Sequence, residues 1–399
     1  MSGSMKQRAL QSIAGRRRWL HHLLILSLIL TPVIRTDGDD STSTLTPPPG
    51  SYRVLSEDRI ITFPFEVFRG DIRFRAEING REVYMLLDDG FMWDQILFWG
   101  SPTVDSLNLN YDGETDIGGG PDDDASIASR TASGITIRFP GVEFTDQTAV
   151  VTPYSSGVSN MWQGSIGQVS GTFLKHFVVD INFDDMMITL IEPHKFVYRG
   201  QGAEIPWTPL GFGPWAIPAS LSLTDGRSVS MDLMMDLGYN DQLQIATRGE
   251  HDITVPERAL PASLGRNIQG TETLGHIGRL PSVIIGGYEI KDVLSGFVSE
   301  EHSGHTFHEG MIGLGLLSHF NLVFDYSRQR LFVEPNRNFT APFIYNMSGL
   351  ALRPGSGNYL SIQRVHSDSP ASEAGLQVGD RVIQINRRSV TEYDFWELQ

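Results

Sequence analysis

The sequence of 399 residues contains no cysteine. This absence excludes disulfide bonds, thiol nucleophiles and cysteine-ligated zinc sites, although it fits either redox compartment. Basic residues are also scarce, since 31 Lys and Arg stand against 47 Asp and Glu, for a net charge of −16 at pH 7. Binding to phosphates requires a basic surface, so this balance argues against a nucleic-acid partner. The length predicts two or three domains rather than one.

The N-terminus has the features of an export signal. Three arginines at positions 16–18 precede a largely apolar stretch whose core, Leu23–Leu30, is shorter than the about 20 residues of a typical membrane span. A basic segment followed by a short apolar one is typical of a secretory signal. Residues 1–34 are therefore interpreted as a signal peptide or a signal anchor, which predicts an exported, periplasmic or extracellular protein, held at the membrane if the segment is uncleaved. Residues 35–50, rich in Ser, Thr and Pro, are predicted to be a disordered linker.

Beyond the linker the sequence repeats itself, and this repeat is the strongest indication of the fold. Each copy contains two apolar strands joined by a turn, which is Asn79-Gly80 in the first copy and Asp225-Gly226 in the second. In the first copy, apolar and polar residues alternate along the strand before the turn. That strand ends in an acidic turn, Asp88-Asp89-Gly90 in the first copy and Asp236-Leu237-Gly238 in the second. Three further matches follow in the same order: Gly164–Gly167 with Gly310–Gly313, Phe173–Phe177 with Leu316–Phe320, and Ile188–Pro193 with Leu331–Pro335.

The repeat predicts two homologous, mostly β lobes. We expect the first lobe over residues 51–195 and the second over residues 219–336. Four prolines between them mark a crossover at residues 196–218.

An apolar strand that ends in Asp-x-Gly, present in two lobes and followed each time by Gly-x-Ile-Gly, resembles the pepsin/retropepsin superfamily of aspartic proteases. More narrowly, the chain resembles bacterial exported aspartyl-protease-like proteins with a C-terminal PDZ domain. The resemblance implies two β-barrel lobes around a central cleft, with Asp88 and Asp236 as the catalytic pair and Gly90 and Gly238 beside the bound substrate.

The resemblance also implies the chemistry of an endopeptidase acting on a peptide or protein substrate, with no metal or organic cofactor. Two adjacent carboxyl groups share one proton, because both cannot ionise at close range. The ionised member activates a water molecule, and the protonated member donates to the oxygen of the scissile carbonyl.

Two departures from the family pattern keep an alternative open. The family usually has Thr or Ser between Asp and Gly, and its hydroxyl cross-links the two turns. This chain has Asp89 and Leu237 instead, and the extra carboxyl of Asp89 should perturb the titration of the pair. The alternative function is therefore a catalytically inactive, aspartic-protease-like protein that binds peptides with the bilobal cleft and the PDZ-like module. In the second lobe Asp232 is the alternative to Asp236, because the spacing from the turn glycine is eight residues in the first copy and ten in the second.

Two smaller features complete the prediction for the lobes. A flap over the cleft is expected from the first lobe, and the hairpin-like stretch Gly134–Val142 lies close to the right place. His302, His305 and His308 could bind zinc, but Ser303-Gly304 favours a solvated loop. The run Asp122–Asp124 is likewise interpreted as an acidic loop rather than a calcium site.

The last unit, residues 343–399, resembles a PDZ domain. Gly375-Leu376 and Gly379-Asp380, followed by Val382, match the helix-to-strand passage of that family, whose groove binds an extended peptide as an added strand. A PDZ domain needs a further helix and strand beyond Gln399, so we expect this module to be incomplete.

Overall fold

A computed structural model describes most of the chain beyond the predicted signal and linker. The described residues are 51–57, 59–90, 95–117, 126–154, 164–170, 172–210, 214–247, 250–266, 272–299, 309–355 and 357–393. Strands dominate this part of the chain and its helices are single turns, so the mostly β fold class is confirmed. The predicted signal at 1–34 and linker at 35–50 lie outside the described residues. No helix in the described ranges is both long and apolar enough to cross a bilayer.

The strands form two large sheets and two small ones. The first sheet has 14 strands: β1 (Tyr52–Val54), β2 (Ile60–Phe68), β3 (Asp71–Ile78), β4 (Arg81–Leu87), β5 (Ile96–Trp99), β6 (Asn110–Ile117), β7 (Ile127–Phe139), β8 (Val142–Thr152), β9 (Ser165–Val169), β10 (Val178–Asn182), β11 (Met187–Ile191), β12 (Ala203–Pro206), β21 (Phe320–Asp325) and β22 (Arg330–Pro335). The second has eight strands: β13 (Thr208–Pro209), β14 (Trp215–Ser222), β15 (Ser228–Asp236), β16 (Leu243–Thr247), β17 (Leu260–Arg266), β18 (Glu272–Ile285), β19 (Tyr288–Ser299) and β20 (Gly310–Gly313).

The C-terminal strands belong to the two small sheets: β23 (Leu350–Pro354), β24 (Leu360–Val365) and β25 (Arg381–Val382) in one, and β26 (Gln384–Ile385) with β27 (Arg388–Ser389) in the other. Within the described ranges the short α-helices are α1 (Pro102–Asp105), α2 (Leu314–Leu317) and α3 (Pro370–Glu373), and 3₁₀ turns cover Thr172–Leu174, Tyr326–Arg328 and Val390–Glu392. Ser369 caps α3 by accepting a hydrogen bond from the Ser372 amide at 3.2 Å.

The two predicted hairpins carry the acidic turns. Asn79 and Gly80 have φ values of 47° and 83°, so both turn residues adopt the left-handed conformation of a two-residue hairpin. β3 and β4 pair antiparallel on either side of this turn, and β14 pairs with β15 in the same way. The return strands β4 and β15 therefore run straight into the turns at Asp88 and Asp236.

The return strands of the two halves have the same arrangement of neighbouring strands. β9 runs parallel to β4 and antiparallel to β5, while β20 runs parallel to β15 and antiparallel to β16. In the sheet of each half, a strand from later in the chain therefore lies between the return strand and the strand that follows the return strand in the sequence. This arrangement is the structural counterpart of the sequence repeat.

The register of these strands corrects one of the sequence matches. Leu87 lies opposite Val169, and the equivalent Met235 lies opposite Ile312, so Val169 corresponds to Ile312. Matching Gly164–Gly167 to Gly310–Gly313 was therefore wrong by three residues. The two patterns look alike because each ends in a glycine at a close backbone approach, where a Cβ would collide with the carbonyl of Leu97 in one half and of Tyr239 in the other.

Strands from both halves share one part of the larger sheet. β10 pairs antiparallel with β21, and the neighbouring order is β12, β22, β21, β10, β11, β2. The crossover after the first half supplies β12, which pairs with β22. A continuous cluster of buried apolar side chains runs through both halves and includes Phe63 and Phe320. The packing therefore fixes the return strands of the two halves relative to one another.

The stretch Gly134–Val142, predicted to supply the flap, lies elsewhere. It forms the end of β7 and the turn into β8, where the Gly141 carbonyl accepts a hydrogen bond from the Leu55 amide at 2.8 Å. β7 pairs here with Ile78, at the opposite end of the β3–β4 hairpin from Asp88. The flap prediction was therefore wrong for this stretch. The other end of β7 packs near Leu97, and the turn that joins it to β6 lies outside the described residues.

Candidate active site

The two acidic turns face each other. A Cβ atom added to Gly90 would collide with the carboxyl group of Asp236, and one added to Gly238 would collide with that of Asp88. Each glycine thus touches the aspartate of the other half, as a two-fold arrangement requires. Neither glycine has a positive φ, so the close approach of a carboxyl group, and not the tightness of the turn, requires glycine here.

Asp236 lies in an environment that favours its protonated form. Burial raises its pKa well above the usual value, and the nearby charges of Asp88 and Asp89 raise it further. The Gly238 amide opposes this effect by donating a 2.8 Å hydrogen bond to Asp236 Oδ1. A side-chain hydrogen bond to Asp88 acts in the raising direction, so the two carboxyl groups lie within reach of one shared proton.

Asp88 has a partner that Asp236 lacks. The Nε2 atom of Gln168 donates a 2.7 Å hydrogen bond to Asp88 Oδ2, and the Gln168 residue is only 8% exposed. Gln168 lies on β9, the strand parallel to β4, and the Asp88 amide donates to the neighbouring Val169 carbonyl at 3.1 Å. The sequence prediction missed Gln168. An amide side chain between the apolar residues Ile166 and Val169 of this short strand was the available signal, because buried polar groups need partners.

Asp89 links the two turns. Its Oδ1 atom accepts a hydrogen bond from the Leu237 amide at 2.5 Å, across the boundary between the halves. Asp89 thus acts as an acceptor where the resemblance leads one to expect a hydroxyl. The reciprocal side-chain link cannot form, because Leu237 carries no polar side-chain atom and is 1% exposed.

The environment of Asp89 is costly for a negative charge. Burial raises its pKa to about 7; the Leu237 amide opposes that rise, and the charge of Asp88 adds to it. Within the described ranges, Asp89 Oδ2 has no hydrogen-bond partner. Burial, and after it the charge of Asp89, raises the pKa of Tyr326, which packs against Trp207 and Trp215. Asp89 is therefore a third carboxyl group in the site, and it is held in its neutral form below pH 7.

The alternative aspartate of the second half lies outside this cluster. Asp232 is exposed on β15, opposite Pro218 of β14. It lies four positions before Asp236, the last residue of that strand. The geometry brings Asp236, and not Asp232, next to Asp88.

No group of three or more His, Asp or Glu side chains within the described part of the chain has the geometry to hold a metal ion. The histidines at 302, 305 and 308 lie outside that part, and so does the acidic run at 122–124.

Comparison with known proteins identifies the C-terminal unit. A family model of the PDZ domain matches residues 361–399. No curated protein is similar to this chain in sequence. Among solved structures, an aspartic proteinase from Irpex lacteus is similar at a TM-score of 0.47 and 13% sequence identity, over 71% of this chain and 99% of that one.

Proposed function

We propose that this protein is an aspartic-type endopeptidase that hydrolyses peptide bonds with Asp88 and Asp236. The observation that carries the proposal is the pairing of the two carboxyl groups, one from each half, with the pKa of Asp236 raised by burial and by Asp88. Such a pair holds one proton and one negative charge over the same pH range. One pair can therefore act as both base and acid in the same step.

The reaction follows from that state of the pair. The ionised carboxylate takes a proton from a water molecule, whose oxygen attacks the carbonyl carbon of the scissile bond. The protonated carboxyl donates its proton to the carbonyl oxygen as the tetrahedral intermediate forms. The carboxyl that took the proton of the water then gives it to the amide nitrogen as the C–N bond breaks, and the other carboxyl recovers a proton from a hydroxyl of the intermediate. The glycine residues Gly90 and Gly238 leave room for the opposite carboxyl groups, and we assign the substrate backbone to the space beside them.

A pH profile follows from the same pair. Activity should fall at high pH, as Asp236 loses its proton and the pair carries two charges. It should also fall at low pH, as the second member of the pair becomes protonated. Ionisation of Asp89 near pH 7 adds a further charge beside Asp236 and holds that proton more tightly.

The test is a peptide-library cleavage assay between pH 3 and pH 8. Asp88→Asn and Asp236→Asn should each lower kcat/KM at least about a hundredfold, because each removes one partner of the acid–base step. Asp232→Asn removes the same charge from an exposed site on β15 and should leave cleavage unchanged. Cleavage that survives Asp88→Asn contradicts the mechanism. A wild-type protein that binds peptides from the library but cleaves none would instead favour the inactive, peptide-binding relative.

We also propose that the protein acts after export. The arginines at 16–18 and the short apolar core that follows support a signal for secretion, retained as an anchor or removed. We therefore expect its substrates to be peptides or proteins of the compartment to which the protein is exported. Fractionation of cells that produce the full chain, compared with a chain lacking residues 1–34, tests this proposal, since only the full chain should leave the cytoplasm.

A further inference from the structure

The site contains an asymmetry that the two-fold repeat does not predict. The register of the parallel strands makes Gln168 equivalent to Met311, because Leu86 lies opposite Gln168 and the equivalent Met234 lies opposite Met311. Glutamine and methionine are unbranched side chains of similar length, but only glutamine has an N–H donor. At this position, therefore, the first half offers its aspartate an amide and the second half offers a thioether.

We propose that Gln168 is the positioning residue that keeps the negative charge of the pair on Asp88 and leaves the shared proton on Asp236. Gln168 Nε2 donates to Asp88 Oδ2 at 2.7 Å from a buried strand. A hydrogen bond donated to a carboxylate stabilises its charged form, and the effect is larger when water is excluded. The inference deepens the proposed function, because it assigns the base to Asp88 and the acid to Asp236.

The remaining titratable groups near the pair are consistent with this assignment. Asp89, in the same turn as Asp88, and Asp88 itself both raise the pKa of Asp236. From the second half, Tyr239 lies near Asp236; burial raises the pKa of that phenol, and the charges of Asp241 and then Asp236 raise it further. Tyr326 interacts with Asp89. With their raised pKa values the two phenols stay neutral, so the negative charge that holds a proton on Asp236 comes from Asp88 and, once it ionises, from Asp89.

The asymmetry gives each carboxyl group a fixed task. Asp88, as the ionised member, would accept the proton of the attacking water. Asp236, as the protonated member, would donate to the carbonyl oxygen of the substrate. A symmetric pair would distribute the proton over both positions, so that only part of the population would be ready for a substrate in one orientation.

Titration of the carboxyl groups without substrate tests the inference. The protein is labelled with ¹³C at the aspartate carboxyl carbons, and Asp88→Asn and Asp236→Asn identify the two resonances by their loss. In the wild type, the Asp88 resonance should titrate at the lower pH. Gln168→Met should raise the Asp88 midpoint by about one pH unit, the equivalent of a tenfold change in proton affinity. The swap of both positions, Gln168→Met with Met311→Gln, should move the lower midpoint towards Asp236.

An Asp88 midpoint that does not move in Gln168→Met overturns the inference, and so does a wild type in which Asp236 titrates first. If Gln168→Met does not fold, the side-chain ¹⁵N shift of Gln168 in the wild type decides, because it must follow the midpoint of Asp88. None of these readouts requires cleavage. If the wild type cleaves no peptide but its carboxyl groups titrate as expected, the proposed function fails and the inference stands. If the wild type cleaves peptides but Gln168→Met leaves the Asp88 midpoint unchanged, the inference fails and the proposed function stands.

Discussion

Asp89→Asn should stabilise the protein at neutral and alkaline pH. The substitution keeps an oxygen that can accept the hydrogen bond from the Leu237 amide, and it removes the charge of a residue that is 5% exposed. It also replaces Asp89 Oδ2, which has no partner among the described residues, by an amide nitrogen with two N–H donors, at a cost of about 1–3 kcal/mol that does not depend on pH. The part of the difference that depends on pH is the free energy of ionising Asp89.

The magnitude follows from the shift in pKa. Burial raises the pKa of Asp89 from 3.8 to about 7, so the folded state binds one proton more than the unfolded state between these values. Stability therefore falls as pH rises from about 4 to about 7, by a total of about 4 kcal/mol for this group. Asp89→Asn does not titrate and escapes this loss. We expect the free energy of unfolding of the variant, relative to that of the wild type, to rise by about 4 kcal/mol between pH 4 and pH 8.

Denaturant unfolding at five pH values between 4 and 8 measures this difference. Asp232→Asn is the matched control, because it removes an aspartate that is exposed on strand β15. Its stability should follow that of the wild type at every pH. Parallel curves for Asp89→Asn and the wild type would refute the reasoning, since they would mean that Asp89 ionises equally easily in the folded and unfolded states.

Two further substitutions test the packing and the electrostatics of the described chain. Gly90→Ala places a methyl group against the Asp236 carboxyl; we expect it to cost about 1–3 kcal/mol and to shift the carboxyl titration of the pair. Gly226→Ala is its control, because open space surrounds Gly226 and only its φ of 87° disfavours alanine. We expect this control to cost about 1–2 kcal/mol and to leave the carboxyl titration unchanged. Equal titrations in both variants would contradict the contact. Asp180→Asn should stabilise the protein above pH 6 by up to about 3 kcal/mol, because burial and then Glu334 raise the pKa of Asp180 to about 6. Unfolding at pH 4 and pH 8 checks this, and a variant no more stable than the wild type at pH 8 would contradict it.

The sequence by itself determined the local elements of the fold. Strand β3 and its turn follow from alternating residues and Asn79-Gly80, because side-chain period and turn preference depend on neighbours in the chain. The repeat of Asp-x-Gly indicated which two aspartates to compare, and each of them lies against the turn glycine of the other half. The unit around Gly375 and Gly379 was also recognisable, because its turn glycines are close together in the sequence.

Only the tertiary structure decided the register and the electrostatics of the site. β4 and β9 are separated by many residues, so the pairing of Leu87 with Val169 depends on packing that no local pattern reports. That pairing brings Gln168 to Asp88 and makes Met311 its equivalent. The protonation state of Asp89 likewise depends on its burial. The sequence shows an extra carboxyl group, but its hydrogen bond from the Leu237 amide and its raised pKa arise only where the two halves meet.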